Sequence, residues 1–133
     1  MERDKRKIGQ EGEVIAAEAL QKAGYAILER NLSLGGGELD LVARQADALV
    51  FVEVRARRGE SFGPAEASIT AAKARRIARA ARAYLASHRL SPGEVRCDVV
   101  AVQLDVANRP LQVRIIPDAV DLSGALEGGR WRT

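Results

Sequence analysis

Cysteine and histidine each occur once in the 133 residues, as Cys97 and His88. A lone cysteine excludes an internal disulfide and a cysteine-rich zinc site. A lone histidine removes most nucleophilic triads, which need an imidazole beside the nucleophile. His88 falls at the end of an expected helix, where contact with the helix dipole accounts for it, so it is read as structural or solvent-exposed. Also lacking is any unbroken apolar run near the ~20 residues that a membrane span requires. The opening Met-Glu-Arg-Asp-Lys-Arg-Lys is followed by no apolar signal segment. No membrane partner is expected, and the expected location is cytoplasmic.

What is present fits one ordinary domain: 47% of the residues are hydrophobic, enough to bury a core at this length. The expectation is a single unit over residues 1–123 and a flexible tail rich in Gly and Arg over 124–133. Trp131, between two arginines, could stack on a base, but a disordered end is preferred. Net charge is only +3, so the placement of charge matters more than its sum. Arg55, Arg57 and Arg58 cluster after one strand, and Lys73, Arg75, Arg76, Arg79, Arg82 and Arg89 follow along one expected helix. Such local basic surface fits a polyanionic partner; a solvated helix face is the plain alternative.

Apolar spacing predicts a helix over residues 8–23, stopped by Gly24, with Ile8, Gly12, Ile15, Ala16, Ala19, Leu20 and Ala23 on one side. Glu13 lies at the border of that side. Gly9 and Gly12 weaken a helix, which points to close approach of another backbone. Three extended segments follow, over 26–34, 38–44 and 49–57, and their short Gly- and Asp-containing links predict an antiparallel meander. Alternation places Leu39, Leu41 and Ala43 on one apolar face, and Val50, Val52, Val54 and Ala56 on another. After a loop over 58–64, a helix capped by Ser68 or Thr70 runs to about residue 87. Ile69, Ile77, Ala80 and Tyr84 form its inward stripe, and Lys73 projects with them. A lysine there either snorkels out from a packed stem or serves a site. Strands over 95–104 and 111–116 complete an α/β fold of order αβββαββ, a mixed five-stranded sheet flanked by helices.

The informative feature is a pair of acidic strands, Gly37-Glu38-Leu39-Asp40-Leu41-Val42 and Val50-Phe51-Val52-Glu53-Val54-Arg55. Burying an ionised side chain is costly unless it is paired, hydrogen-bonded or bound to a cation. Asp40 and Glu53 therefore point to a divalent-metal site, Mg²⁺ or Mn²⁺, with the Val54 carbonyl as a third oxygen. Cross-strand ion pairs with Arg44, Arg55 and Arg57 are the competing account; it is preferred for Glu38 and not for Asp40 or Glu53. For Asp98, a sheet-edge or hydrogen-bonding role is expected.

Together with Gly12-Glu13 and Arg96-Cys97-Asp98-Val99-Val100-Ala101, these segments resemble the YraN family of small bacterial proteins, over about residues 8–121. That family is similar to the restriction-endonuclease-like superfamily, whose PD-(D/E)xK motif sets one acid on a strand and an acid-x-lysine on its neighbour. The order and spacing are similar to the branch of archaeal Holliday-junction resolvases, which add a glutamate from the first helix. The resemblance implies that Asp40 is the motif aspartate, Glu53 the second acid and Glu13 the helical glutamate. Two departures stand out: Arg55 replaces the usual lysine, and no proline precedes Asp40.

An arginine stays protonated and can stabilise transition-state charge but cannot act as a base. Lys73 is then a candidate displaced lysine. The implied activity is metal-dependent hydrolysis of phosphodiester bonds in nucleic acid, DNA ahead of RNA and branched or single-stranded forms included, with Glu13, Asp40, Glu53, Arg55 and Lys73 as the catalytic set. Arg57, Arg58, Arg75, Arg76, Arg79 and Arg82 would hold the strand. A binding module that has lost catalysis, and a protein-interaction adaptor in DNA processing, remain alternatives. The strand over 111–116 leaves a two-fold homodimer open.

Overall fold

In a computed structural model of the chain, which describes residues 2–59, 69–89 and 93–122, the elements run α1 (Glu2–Lys22), β1 (Ala26–Leu34), β2 (Gly37–Gln45), β3 (Ala48–Arg58), α2 (Ala71–Ser87), β4 (Glu94–Leu104) and β5 (Pro110–Val120). This is the expected αβββαββ order. The strands form one five-stranded sheet in sequential order, antiparallel throughout except where β3 pairs with β4. A parallel pair needs a crossover connection, and α2 lies in it. Residues 60–64 of the expected loop, Ser68 and the expected tail at 124–133 with Trp131 lie outside the described residues.

Each helix covers one face of the sheet. From α2, Ile77, Ala80, Ala81 and Tyr84 pack on Leu39, Val42, Phe51 and Val99. On the other face, Ala16, Ala17 and Leu20 of α1 meet Leu41, Val50, Val52, Val100 and Val102. Alternation along β3 thus feeds both clusters, with Phe51 on one side and Val50 and Val52 on the other. Thr70 caps α2, its hydroxyl oxygen accepting from the Lys73 amide at 3.0 Å. His88 caps the other end, its ring stacked on Tyr84 with centroids 4.0 Å apart.

Three details differ from the sequence reading. α1 begins near the start of the chain and ends at Lys22, so Ala23 is exposed while Ala17 is buried. Leu39 does not share a face with Leu41 and Ala43: it joins Val42 against α2, while they face α1. The strand therefore changes parity across Asp40. On β1 this stretch faces Asn31, whose φ of 52° is left-handed, a conformation Asn tolerates better than most residues. Finally, β5 is longer than the segment over 111–116 and includes Pro117, which an outer strand accommodates.

Asp98 takes the hydrogen-bonding role, inside the sheet and not at its edge. Fully buried at 0% exposure, it accepts from the Tyr25 hydroxyl at 2.7 Å, the Arg96 Nε at 2.9 Å and the Asp118 amide at 2.9 Å. Arg96 also donates to the Gln45 side-chain oxygen. A buried carboxylate is tolerated when its lone pairs are satisfied in this way, and removing one donor is costly. Tyr25→Phe is accordingly expected to lower unfolding free energy by about 1–3 kcal/mol in urea titration. An unchanged midpoint would mean that Arg96 and the Asp118 amide suffice.

Candidate active site

Strands β2 and β3 pair from Gln45/Ala48 to Leu41/Val52, whereas β3 stays paired with β4 as far as Arg58/Leu104. Past Leu41 the two strands part, and Asp40 fills the gap: its Oδ2 accepts from the Val54 amide at 2.8 Å. A side-chain carboxylate thus takes the place of a ladder carbonyl. The N–H and C=O of one strand residue face the same neighbouring strand, so the Val54 carbonyl looks into the same gap.

An open cleft of ≈ 640 Å³ lies there, lined by Glu13, Asp40, Glu53, Val54, Arg55, Arg57, Arg58 and Lys73, with Ile8, Gly9 and Ala56. Glu13 reaches it because α1 packs unusually close to β3. A Cβ on Gly12 would lie 2.5 Å from the Ala56 Cβ, whereas one on Gly9 would meet nothing within 4 Å. The expected close approach is therefore made at Gly12 alone.

Glu53, only 3% exposed, is pushed up to about 7 by burial and then by the neighbouring Asp40 charge, against the opposing pull of Lys73 and Arg55. The Lys73 ammonium and the Arg55 guanidinium each lie 3.5 Å from the same oxygen, Oε2. Lys73, with 26% side-chain exposure, turns its charge toward Glu53. Glu13 is also raised above the ordinary carboxylate range, by partial burial and by Asp40, with an Asn31 hydrogen bond opposing. Asp40 is thus the shared neighbour of both other carboxylates.

Among the described residues no group of three or more His, Cys, Asp or Glu closes into a metal cage. The donors present, two neighbouring carboxylates and a strand carbonyl, suit a hard cation that keeps several waters. Mutual repulsion of Asp40 and Glu53 is the kind of strain such a cation relieves.

The helix arginines are spread more widely than the cleft. Arg76 lines a neighbouring cavity, Arg79 lies beside Gly36, and Arg75 and Arg82 are exposed outside both cavities. Glu38 is exposed on the wall of that neighbouring cavity. Sequence reasoning did not single out Asn31 or the anchoring role of Thr70 for Lys73; the left-handed tolerance of Asn was the one available signal for the former.

A sequence profile for the uncharacterised protein family UPF0102 matches residues 12–102. The chain belongs to this family. UPF0102 and the YraN family of the sequence resemblance are the same grouping. A UPF0102 protein of Symbiobacterium thermophilum is 45% identical over 114 residues, covering 86% of this chain and 96% of that protein. One from Moorella thermoacetica is 44% identical, with 86% and 96% covered, and one from Geotalea uraniireducens is 41% identical, with 90% and 94% covered. The UPF0102 match takes in Glu13, Asp40, Glu53 and Lys73.

The Glu53 environment has a stability consequence. Its native pKa of about 7 exceeds the reference of 4.5, so the folded state binds the proton more tightly between those values. The contribution to stability is complete below the reference pKa and is lost as pH rises to about 7, by at most about 3 kcal/mol. Urea unfolding in chelator should show wild type weakening between about pH 5 and about pH 8, and Glu53→Gln flattening that decline. Parallel pH profiles for the two proteins would refute the assignment.

Proposed function

We propose that this UPF0102 protein is a metal-dependent phosphodiesterase acting on nucleic acid, DNA in the first instance. The observation that carries the reading is the convergence of Glu13 from α1, Asp40 from β2, Glu53 from β3 and Lys73 from α2 on one cleft. The αβββαββ order agrees with the restriction-endonuclease-like architecture that the sequence resembles. A site assembled from four elements needs the whole fold, which distinguishes it from an incidental charged hairpin.

Asp40, Glu53 and the Val54 carbonyl would hold Mg²⁺ or Mn²⁺. When bound, such an ion supplies Lewis-acid polarisation of a phosphoryl oxygen and a lowered pKa for water. Glu13, beside Asp40, orients a water by accepting its hydrogen bond. Lys73 and Arg55 stabilise the charge that develops on the phosphate oxygens, Arg55 as a permanently protonated fork and Lys73 as a point charge from the facing helix. Arg57 and Arg58, at the end of β3, hold flanking phosphates and so fix the strand's register.

A second reading is favoured by one contact pattern. Because Lys73 and Arg55 both lie 3.5 Å from Oε2 of Glu53, protein cations already offset that carboxylate. A strand-binding module without cleavage is compatible with this arrangement.

Incubation of the pure protein with linear, single-stranded and four-way DNA, with Mn²⁺ or with chelator, separates the readings. The enzyme should cleave only with metal, and Asp40→Asn should reduce the rate by about 100-fold or more. Mn²⁺ should also raise the melting temperature of wild type more at about pH 8 than at about pH 5.5, because binding must displace the Glu53 proton. Lys73→Ala should cost more activity than Arg55→Ala; the reverse order would sink the displaced-lysine role. Salt-sensitive binding without cleavage of any of these substrates would establish the module instead.

A further inference from the structure

Lys73 lines two cavities. Beyond the cleft, a second hollow of ≈ 550 Å³ lies between the β1–β2 hairpin and α2, with Ser33, Gly35, Gly37, Glu38 and Arg76 in its wall. The hairpin backbone rests directly on the helix. A Cβ on Gly37 would fall 2.2 Å from the Arg76 carbonyl oxygen, and one on Gly35 would fall 2.7 Å from the Ala83 Cβ. Gly35 and Gly36, at φ 62° and 82°, supply the left-handed pair that a two-residue hairpin turn demands. The hairpin and the helix that line the hollow are therefore already in contact with each other.

Its charged lining comprises Lys73, Arg76 and Glu38. Lys73 and Arg76 are three residues apart on α2, hence neighbours on one helix surface. A nucleic-acid strand carries a phosphate at every nucleotide, so a strand with one phosphodiester in the cleft places further phosphates beyond it. Arg57 and Arg58 line the cleft, and Lys73 lines both the cleft and the hollow.

We propose that the second cavity is a subsite for a further phosphate of the same strand, held by Arg76, with the Ser33 hydroxyl as a neutral donor and Lys73 at the border with the cleft. The inference rests on the nucleic-acid reading above and deepens it, making the ligand a strand several nucleotides long. The planar fork of Arg76 suits a phosphate. Glu38 opposes the anion and tunes its affinity downward.

The test is fluorescence anisotropy with a labelled single-stranded DNA of about 12 nucleotides, in chelator so that nothing is cleaved, across a salt series. Arg76→Gln should weaken binding by about 5- to 10-fold at low salt and reduce the salt slope by about one. Glu38→Gln should tighten binding a few-fold, an opposite sign that misfolding does not produce. Lys22→Gln removes the same charge from an exposed position at the end of α1, outside both cavities, and should cost no more than about 2-fold. The proposal is overturned if Arg76→Gln binds like wild type, if Glu38→Gln fails to bind more tightly, or if Lys22→Gln loses as much as Arg76→Gln. A wild-type protein that does not bind the strand at low salt overturns both this inference and the function beneath it. Binding that responds as expected, beside an absence of metal-dependent cleavage, supports the subsite while removing the hydrolase.

Discussion

The hydrogen bond from the Val54 amide to Asp40 is where the sheet stops being only a scaffold. A regular ladder would have continued β2 against β3 and satisfied Val54 with a backbone carbonyl. Substituting a carboxylate lets the strands part without leaving the amide unpaired, and the opening is lined by Glu53 and Val54. The other parts of the site are arranged around that opening. Gly12 lets α1 settle on Ala56 and deliver Glu13. Thr70 starts α2 where Lys73 can reach Glu53.

Two nearly inaccessible carboxylates in one sheet make an instructive contrast. Asp98 is ringed by a hydroxyl, a guanidinium and an amide at hydrogen-bond distance, lines neither the cleft nor the neighbouring hollow, and so reads as structural. Glu53 has instead a like-charged neighbour, cations at 3.5 Å and an open cleft beside it. Its proton affinity is raised into the neutral range, the condition that marks a functional group more often than a structural one. Burial alone does not separate the two residues; the second carboxylate and the open cleft beside Glu53 do.

Element order and the acidic strands were legible because they rest on local periodicity: alternation near 2 along β2 and β3, and helical spacing along α1 and α2. Asp40, Glu53 and Lys73 could be singled out for the same reason, each being a charge among apolar residues, whereas Glu13 stood at the border of its helix face and owed its site role to the family resemblance. What escaped depends on contacts across the chain. The change of face at Leu39 follows from the way Asp40 is used by Val54, a partner fourteen positions away. The Tyr25–Asp98 bond spans a separation of 73, and nothing near either residue announces it. Gly9 and Gly12 look alike in sequence, and only the nearness of Ala56 makes one of them necessary.

The substitution of arginine at position 55 looks, along the chain, like damage to an acid-x-lysine motif. In space the picture differs, since Arg55 and Lys73 converge on one oxygen of Glu53 from a strand and a helix. A lysine contributes two separable properties to such a site, a positive charge near the phosphate and an ammonium whose pKa the surroundings can shift. Arginine at 55 retains the first in permanent form, and α2 brings an ammonium to the same carboxylate oxygen. On the proposed reading, the chemistry that a linear motif packs into one residue would be divided between two elements, and its integrity would depend on the packing of α2 against the sheet.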